Sequence, residues 1–202
     1  MHEIIVDYIA FLSYHMLLLS YILRFFMLLS LGSLASVPQE HQLSIDQKIA
    51  KYNLDKKSIE IHIDKTAHTL TLQAGKITLK QYPCVFGGNP TADKKYQGDK
   101  CTPEGEFHIL AKYPHEAWTR FMLIDYPTKE SWAKYQANKA SGKIPKGAAI
   151  GGSIGIHGVP AHKDYLIDEG INWTLGCISV SNDDIEEIYS YTGVGTKVII
   201  IK

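Results

Sequence analysis

The sequence predicts a mainly β fold, a β-rich sandwich of mixed sheets with a few short helices. Short segments in which apolar and polar residues alternate recur along the chain, first at residues 59–64. Helical patterns are few and short, and glycines and prolines separate the segments. Many short strands with few helices are typical of sheets that pack face to face around one core.

The composition excludes several classes of protein. The 202-residue chain is 45% hydrophobic and 21% charged, with 21 Lys and Arg against 21 Asp and Glu. These values are typical of a globular chain rather than a disordered or fibrous one, and no net positive charge is present to recruit nucleic acid. Three cysteines are too few for a disulfide scaffold or for a zinc module with four cysteine ligands.

Residues 1–37 differ from the rest because residues 8–34 are nearly all apolar. A spanning helix needs about 20 apolar residues, so an N-terminal membrane anchor through residues 8–34 is one prediction. The other is a cleaved signal peptide, with Arg24 as its charged part and the small residues Ser33 and Ala35 at the cleavage site. Both alternatives export the remainder of the chain.

Residues 38–57 are predicted to be a linker with one short helix. Ser44 and Gln47 have the spacing of a capping box, which opens a helix to about Asn53. From residue 58 onward the strand patterns dominate, beginning with a hairpin in which Ile59, Ile61 and Ile63 alternate with polar residues. The further predicted strands are 77–82, 84–86, 106–110, 121–125, 153–156 and 197–201.

Two later helices are predicted. Residues 128–140 form a surface helix in a lysine-rich insertion. Asn182 has the side chain of an N-cap and precedes a helix over residues 183–191, with acidic residues in its first turn and Gly193 beyond its end.

Two segments carry the candidate chemistry. Alternation leaves His157 on the face opposite Ile154 and Ile156, and it leaves Cys177 on the polar face of residues 174–180. A thiol attacks as the thiolate, and an adjacent imidazole can remove its proton. Gly176 allows a substrate carbonyl to approach the backbone, where N–H groups could form an oxyanion hole.

Other interpretations remain open on these residues. Cys177 and His157 could be ordinary core residues, or a zinc ion could be bound by His157, His162 and Cys177. The glycine-rich run at 151–155 is a weak nucleotide signal, because it has neither the Lys of a P-loop nor a strand-to-helix context.

The spacing of these residues resembles the L,D-transpeptidase catalytic domain family (YkuD-type). His157 and Gly158 are followed by fifteen residues and then by Thr174-Leu175-Gly176-Cys177. The likeness extends to the TPxGxF-like segment 102–107 and to residues 124–127, and it covers residues 58–202, the predicted catalytic domain. Leu175 occupies a position where many members have His, and Ser179 one where many have Arg. The missing Arg makes the chain look closer to the periplasmic, murein-acting branch.

The resemblance implies cysteine-dependent acyl transfer on peptidoglycan stem peptides in the periplasm or cell envelope, for cell-wall cross-linking or remodelling. Cys177 would be the nucleophile and His157 the base, its second ring nitrogen held by a carbonyl near Gly158. Gly176 and Gly158 would supply the backbone of the oxyanion hole. Weaker substrate-binding candidates are Thr174, Trp173, Tyr126 and Arg120.

The same resemblance requires no metal and no organic cofactor. Hydrolysis of the acyl-enzyme, as in a carboxypeptidase or endopeptidase, is an alternative outcome at the same site. A non-catalytic wall-binding module is the alternative from another functional class.

The other two cysteines allow two predictions. In an oxidising compartment Cys84 and Cys101 could pair across the sixteen-residue loop between them. Alternatively, Cys84 is a buried small residue and Cys101 is exposed and free.

Overall fold

The computed structural model describes residues 43–202, so the predicted leader at 1–37 lies outside the described residues. Within the described part, no helix is both long and apolar enough to cross a membrane. A 3₁₀ turn at Lys56–Ser58 precedes the first strand. The helices are α1 (Ile45–Tyr52), α2 (Lys129–Ala140), α3 (Tyr165–Asp168) and α4 (Asn182–Tyr191). The strands are β1 (Ile59–Asp64), β2 (Thr69–Ala74), β3 (Ile77–Pro83), β4 (Gly105–His115), β5 (Thr119–Ile124), β6 (Gly155–His157), β7 (Ile178–Ser179) and β8 (Lys197–Ile201).

The eight strands form a mixed sheet in the order β3-β2-β1-β8-β4-β5-β6-β7. Only β1 with β8 and β6 with β7 are parallel. Strand β4 connects the two halves: its first residues, 105–108, pair with β8, and residues 109–115 pair with β5. The register shifts between Ile109 and Ala111, so the strand is irregular where one half passes into the other. The predicted mainly β, mixed-sheet architecture is confirmed.

One hydrophobic core joins both halves of the sheet. The alternation in β1 buries Ile59, Ile61 and Ile63, and α4 contributes Ile185 and Ile188 to the same cluster. Each fully buried Ile or Leu contributes about 1.5–3 kcal/mol relative to an exposed one, so this pattern favours the fold strongly. Further fully buried members are Leu70, Leu72, Phe107, Met122, Ile156, Ile178 and Val198.

Local signals at the helices are mostly confirmed. Ser44 and Gln47 form both hydrogen bonds of the capping box, and Asn53 ends α1 in the left-handed region with φ of 49°. The predicted N-cap of α4 is wrong by one residue, because the side chain of Ser181, not Asn182, accepts from the N–H of Asp184. Asn182 is instead the first helical residue, which frees its amide for contacts described below.

The strand predicted at 84–86 is reduced to two isolated bridges, Val85 with Ser179 and Gly87 with Thr174. This short segment therefore runs along the edge of β7.

Neither prediction for the remaining cysteines describes them fully. Cys84 and Cys101 are free thiols, so the bridge is not formed, and Cys101 is buried rather than exposed.

Candidate active site

The structure places His157 at the end of β6 and Cys177 just before the neighbouring strand, β7. In the parallel β6–β7 pair, Ile156 lies opposite Ile178 and His157 lies opposite Ser179. Cys177 directly precedes β7, and side chains alternate along a strand, so Cys177 and Ser179 point to the same face as His157. The sheet thus brings together two residues that are twenty positions apart in the chain.

His157 is held in one tautomer by the backbone. Its side chain is buried, and Nδ1 lies 2.7 Å from the carbonyl oxygen of Gly158. A carbonyl can only accept, so Nδ1 carries the proton and Nε2 of the neutral ring is free to accept one. Burial lowers the pKa of His157 to about 4, against an opposing effect of the Gly158 hydrogen bond. The ring is therefore neutral at neutral pH.

Aromatic rings surround this imidazole. Trp118 stacks on His157 with ring centroids 4.5 Å apart, and Phe121 is stacked nearly parallel to it at 5.7 Å. Trp173 meets the ring at right angles, at 5.6 Å, and His115 stacks on Trp118 at 4.3 Å. The sequence patterns did not indicate His115, Trp118 or Phe121 as site residues. Only the pairing of Phe121 with His157 between β5 and β6 brings them there.

The Cys177 thiol is partly exposed and donates to the carbonyl oxygen of Ser153 at 3.6 Å. Burial raises its pKa, while the N–H of Gly155 and the charge of Lys94 act in the opposite direction. Within residues 43–202, no hydrogen bond joins this thiol to the His157 ring. The thiol and the imidazole are thus both neutral at rest.

The turn before Cys177 is closed by Thr174. The Thr174 hydroxyl donates to the Cys177 carbonyl at 2.8 Å and accepts from the Gly176 N–H at 3.1 Å. The Gly158 N–H donates to the Trp118 carbonyl at 3.1 Å. Both N–H groups expected to serve an oxyanion hole are therefore engaged in this conformation, and the Cys177 N–H at the same turn is the remaining candidate.

Glycine is required at position 176 for two reasons. Its φ is +140°, a region that residues with a side chain rarely adopt. A Cβ would also lie 2.7 Å from the carbonyl oxygen of Cys101, which is closer than real contacts allow. The segment around Cys101 therefore packs directly behind the candidate nucleophile.

The four predicted substrate-binding residues divide into two groups. Trp173 lies beside His157, and Thr174 supports the turn. Arg120 binds both carboxylate oxygens of Glu186 at 2.9 Å and lies over the Tyr189 ring, so it is directed at α4. Tyr126 is buried, and its hydroxyl donates to the Ile150 carbonyl at 3.4 Å.

Substrate binding by Arg120 and Tyr126 stays a prediction. Both side chains have hydrogen-bond partners within the protein, and in residues 43–202 neither forms a hydrogen bond to His157 or Cys177.

The zinc interpretation is wrong. His157, His162 and Cys177 do not form a common ligand group, and no cluster of three or more His, Cys, Asp or Glu in residues 43–202 is arranged to hold a metal ion.

Comparison with known proteins identifies the family that this chain matches. The family model described as "L,D-transpeptidase catalytic domain" (YkuD) matches residues 58–200. The Bacillus subtilis (strain 168) protein named "Putative L,D-transpeptidase YqjB" is 26% identical over 106 residues, which are 50% of this chain and 53% of that protein. The chain thus spans about half the length of this curated relative.

The chain is similar to solved structures, and one with a TM-score above 0.5 shows the same fold. The helical cell shape determining protein Pgp2 from Campylobacter jejuni is 22% identical, with a TM-score of 0.53 over 72% of this chain and 48% of that one. An L,D-transpeptidase from Mycobacterium smegmatis is 20% identical, with a TM-score of 0.44 over 72% of this chain and 59% of that one. Since the family model covers well over half of the sequence, the chain belongs to the L,D-transpeptidase catalytic domain family.

Proposed function

We propose that this protein is an L,D-transpeptidase that transfers acyl groups of peptidoglycan stem peptides through Cys177. One arrangement carries the proposal: Cys177 directly precedes β7, and β7 pairs with β6, which ends at a buried, neutral His157 whose Nε2 is left free by the Nδ1 contact to Gly158. Such a ring can take the thiol proton, which is the step that activates a cysteine nucleophile. Membership of the family supports peptidoglycan as the substrate class.

The reaction begins with attack by Cys177 on the carbonyl of the third stem residue, typically a diamino acid. Because the thiol and imidazole are both neutral at rest, the thiol proton passes to Nε2 as the sulfur–carbon bond forms. The oxygen of the tetrahedral intermediate takes up the negative charge, and the Cys177 N–H is its proposed donor.

Collapse of this intermediate breaks the bond to the terminal D-amino acid. His157 returns the proton from Nε2 to the leaving amine, and a thioester remains on Cys177. An acceptor amine then attacks the thioester, with His157 again as the base, and gives a cross-link. If water attacks instead, the product is a free acid, as in a carboxypeptidase or endopeptidase.

The experiment is to incubate the purified domain, residues 38–202, with muropeptides and to follow the products by mass spectrometry. We expect loss of the terminal D-amino acid together with either a cross-linked dimer or the shortened acid, and no product with Cys177→Ala. The small apolar replacement fits the space of the thiol, so the variant should remain folded.

A carbapenem serves as a second probe for the same cysteine. An adduct on the intact protein that Cys177→Ala abolishes supports a catalytic role. Muropeptide binding without any product and without an adduct would instead indicate a non-catalytic wall-binding module.

We also propose that residues 1–37 export the domain to the periplasm or cell envelope, as a signal peptide or as an anchor through residues 8–34. N-terminal sequencing of protein recovered from the envelope tests this. A chain that begins close to Ser36 indicates cleavage, and a chain that retains the leader in the membrane fraction indicates an anchor. Recovery of the uncleaved protein from the cytoplasm alone would contradict export.

A further inference from the structure

The carbonyl oxygen of Gly158 receives a second hydrogen bond besides the one from His157. The Ser179 hydroxyl, which is fully buried, donates to it at 3.2 Å, while His157 Nδ1 lies at 2.7 Å. A carbonyl oxygen has two lone pairs and can accept both bonds. The Gly158 carbonyl oxygen therefore links Nδ1 of His157 to the Ser179 hydroxyl on β7.

The backbone of Ser179 is fixed on both sides. Its N–H and carbonyl exchange two hydrogen bonds of 2.9 Å with Val85, and β6 pairs with its other side. The next residue, Val180, donates to the main-chain carbonyl of His157 at 3.0 Å. The hydroxyl of Ser179 can thus move only by rotation of its own side chain.

The Gly158 peptide is also held from its other side. Its N–H donates to the Trp118 carbonyl, and a Cβ at Gly158 would lie 2.3 Å from Oδ1 of Asn182. That Oδ1 accepts from the Thr119 hydroxyl at 2.7 Å, which fixes its place. The peptide plane of the Gly158 carbonyl is held at its other end by the Val159 N–H, which donates to the same Oδ1 at 3.2 Å. At its carbonyl end the donors are His157 and Ser179.

We propose that Ser179 is a positioning residue that orients His157 through the carbonyl of Gly158. Ser179 is two residues from Cys177 on the same short segment, so this contact ties the orientation of the base to the strand that carries the nucleophile. The inference rests on the proposed function, in which His157 is the base. Ser179 is fully buried and acts on the ring, not on the substrate.

Loss of the hydroxyl has two physical consequences. The Gly158 carbonyl oxygen loses one of its two donors, so the imidazole is held less firmly, Nε2 spends less time directed at the thiol and kcat falls. The carbonyl also becomes a stronger acceptor for Nδ1–H when it serves one donor, which stabilises the charged imidazolium and moves the acidic limb of the rate profile to higher pH. KM is unchanged because no substrate contact is removed.

The test compares Ser179→Ala with Thr192→Val. Both changes remove a buried hydroxyl that donates to a backbone carbonyl, and the Thr192 hydroxyl donates to Ile188 at 2.7 Å at the far end of α4. We expect Ser179→Ala to lower kcat about tenfold, the worth of one hydrogen bond, with KM within about twofold of wild type. Thr192→Val should leave both values near wild type.

Two more measurements separate positioning from a structural role. Ser179→Thr retains the hydroxyl and should recover most of the lost kcat. The pH dependence of Cys177 alkylation by iodoacetamide should show its acidic limb at higher pH in Ser179→Ala than in wild type. Thermal unfolding of all variants identifies any that fail to fold.

The inference is overturned if Ser179→Ala loses no more activity than Thr192→Val, if its loss appears in KM alone, or if the acidic limb does not move. A failure of the proposed function looks different. In that case wild type makes no product from muropeptides, and His157→Ala leaves the alkylation profile of Cys177 unchanged.

Discussion

The indole of Trp118 stacks on the imidazole of His157, with ring centroids 4.5 Å apart and planes inclined by 24°. Trp118 lies in the turn between β4 and β5, and β5 pairs with β6, the strand that ends at His157. The indole covers one face of the imidazole and keeps water from it. Burial is the main cause of the low pKa of His157, so this stacking contributes directly to the neutral state of the ring.

Trp118→Ala should therefore raise the pKa of His157 from about 4 toward its ordinary value of 6.5, because water can then solvate the charged ring. The shift is measured by NMR titration of the His157 ring protons, assigned with His157→Gln. Trp132→Ala is the matched control, since Trp132 lies half-exposed on α2 and makes an edge-to-face contact with Tyr135 instead. An unchanged pKa in Trp118→Ala would contradict the role of the indole.

His157→Gln should lower the rate of acyl-enzyme formation by roughly 10²–10⁴, the usual contribution of a positioned acid–base group. The measurement is single-turnover mass spectrometry of the thioester. Replacement of the partly exposed His62, which lies on β1 beside Glu60, serves as the control. A rate within about threefold of wild type would exclude His157 as the base, because even weak general-base catalysis exceeds that value.

The pKa of His157 also predicts a pH dependence of stability. Folding lowers this pKa from 6.5 to about 4, so between these values the unfolded chain binds a proton that the folded one does not. The free energy of unfolding thus falls as the pH is lowered from 6.5 to 4, by roughly 3 kcal/mol from this residue. Urea titrations at several pH values should show that the free energy of unfolding falls less with decreasing pH in His157→Gln than in wild type. Parallel pH dependences of the two proteins would refute the lowered pKa.

Gly176→Ala should destabilise the protein strongly, because the new Cβ meets the Cys101 carbonyl at 2.7 Å in a backbone region unfavourable for alanine. Gly75→Ala is the control, since Gly75 also has a positive φ, of +58°, but open space around it. Gly75→Ala should lower the free energy of unfolding by about 1–2 kcal/mol, and Gly176→Ala should lower it by more. If chemical denaturation shows the same loss of stability in both variants, the contact with Cys101 is easily relieved.

The buried ion pair behind the site supplies the last prediction. Lys94 Nζ lies 2.9 Å from Asp99, and both side chains are less than one-tenth exposed. Lys94→Met leaves the carboxylate buried without its cation and should lower the free energy of unfolding by about 3–5 kcal/mol. The control is Lys197→Met, which breaks the exposed pair with Glu106 and should lower it by less than about 1 kcal/mol.

Lys94 also lowers the pKa of Cys177, so Lys94→Met should slow alkylation of the thiol at a given pH, provided the variant is folded. Alkylation at the wild-type rate would separate the ion pair from the chemistry and leave it a purely structural role.

Several features were predictable from the sequence because they depend on near neighbours. The capping box of α1 needs only residues three apart, and the burial of Ile59, Ile61 and Ile63 follows from a period of two. The N-cap of α4 was misplaced because Ser181 and Asn182 are both good caps, and the choice between them depends on the packing of Gly158 against Asn182.

Patterns within the sequence were enough to predict the mainly β architecture, the spacing of His157 and Cys177 and the face on which each side chain lies. The groups that surround these two residues could not be predicted in this way: the stacking of Trp118 on His157, the engagement of the Gly176 N–H by Thr174, and the turn of Arg120 toward Glu186. Alternation and capping arise from backbone geometry within a few residues, whereas these contacts exist only because the strand order β4-β5-β6-β7 places distant segments side by side.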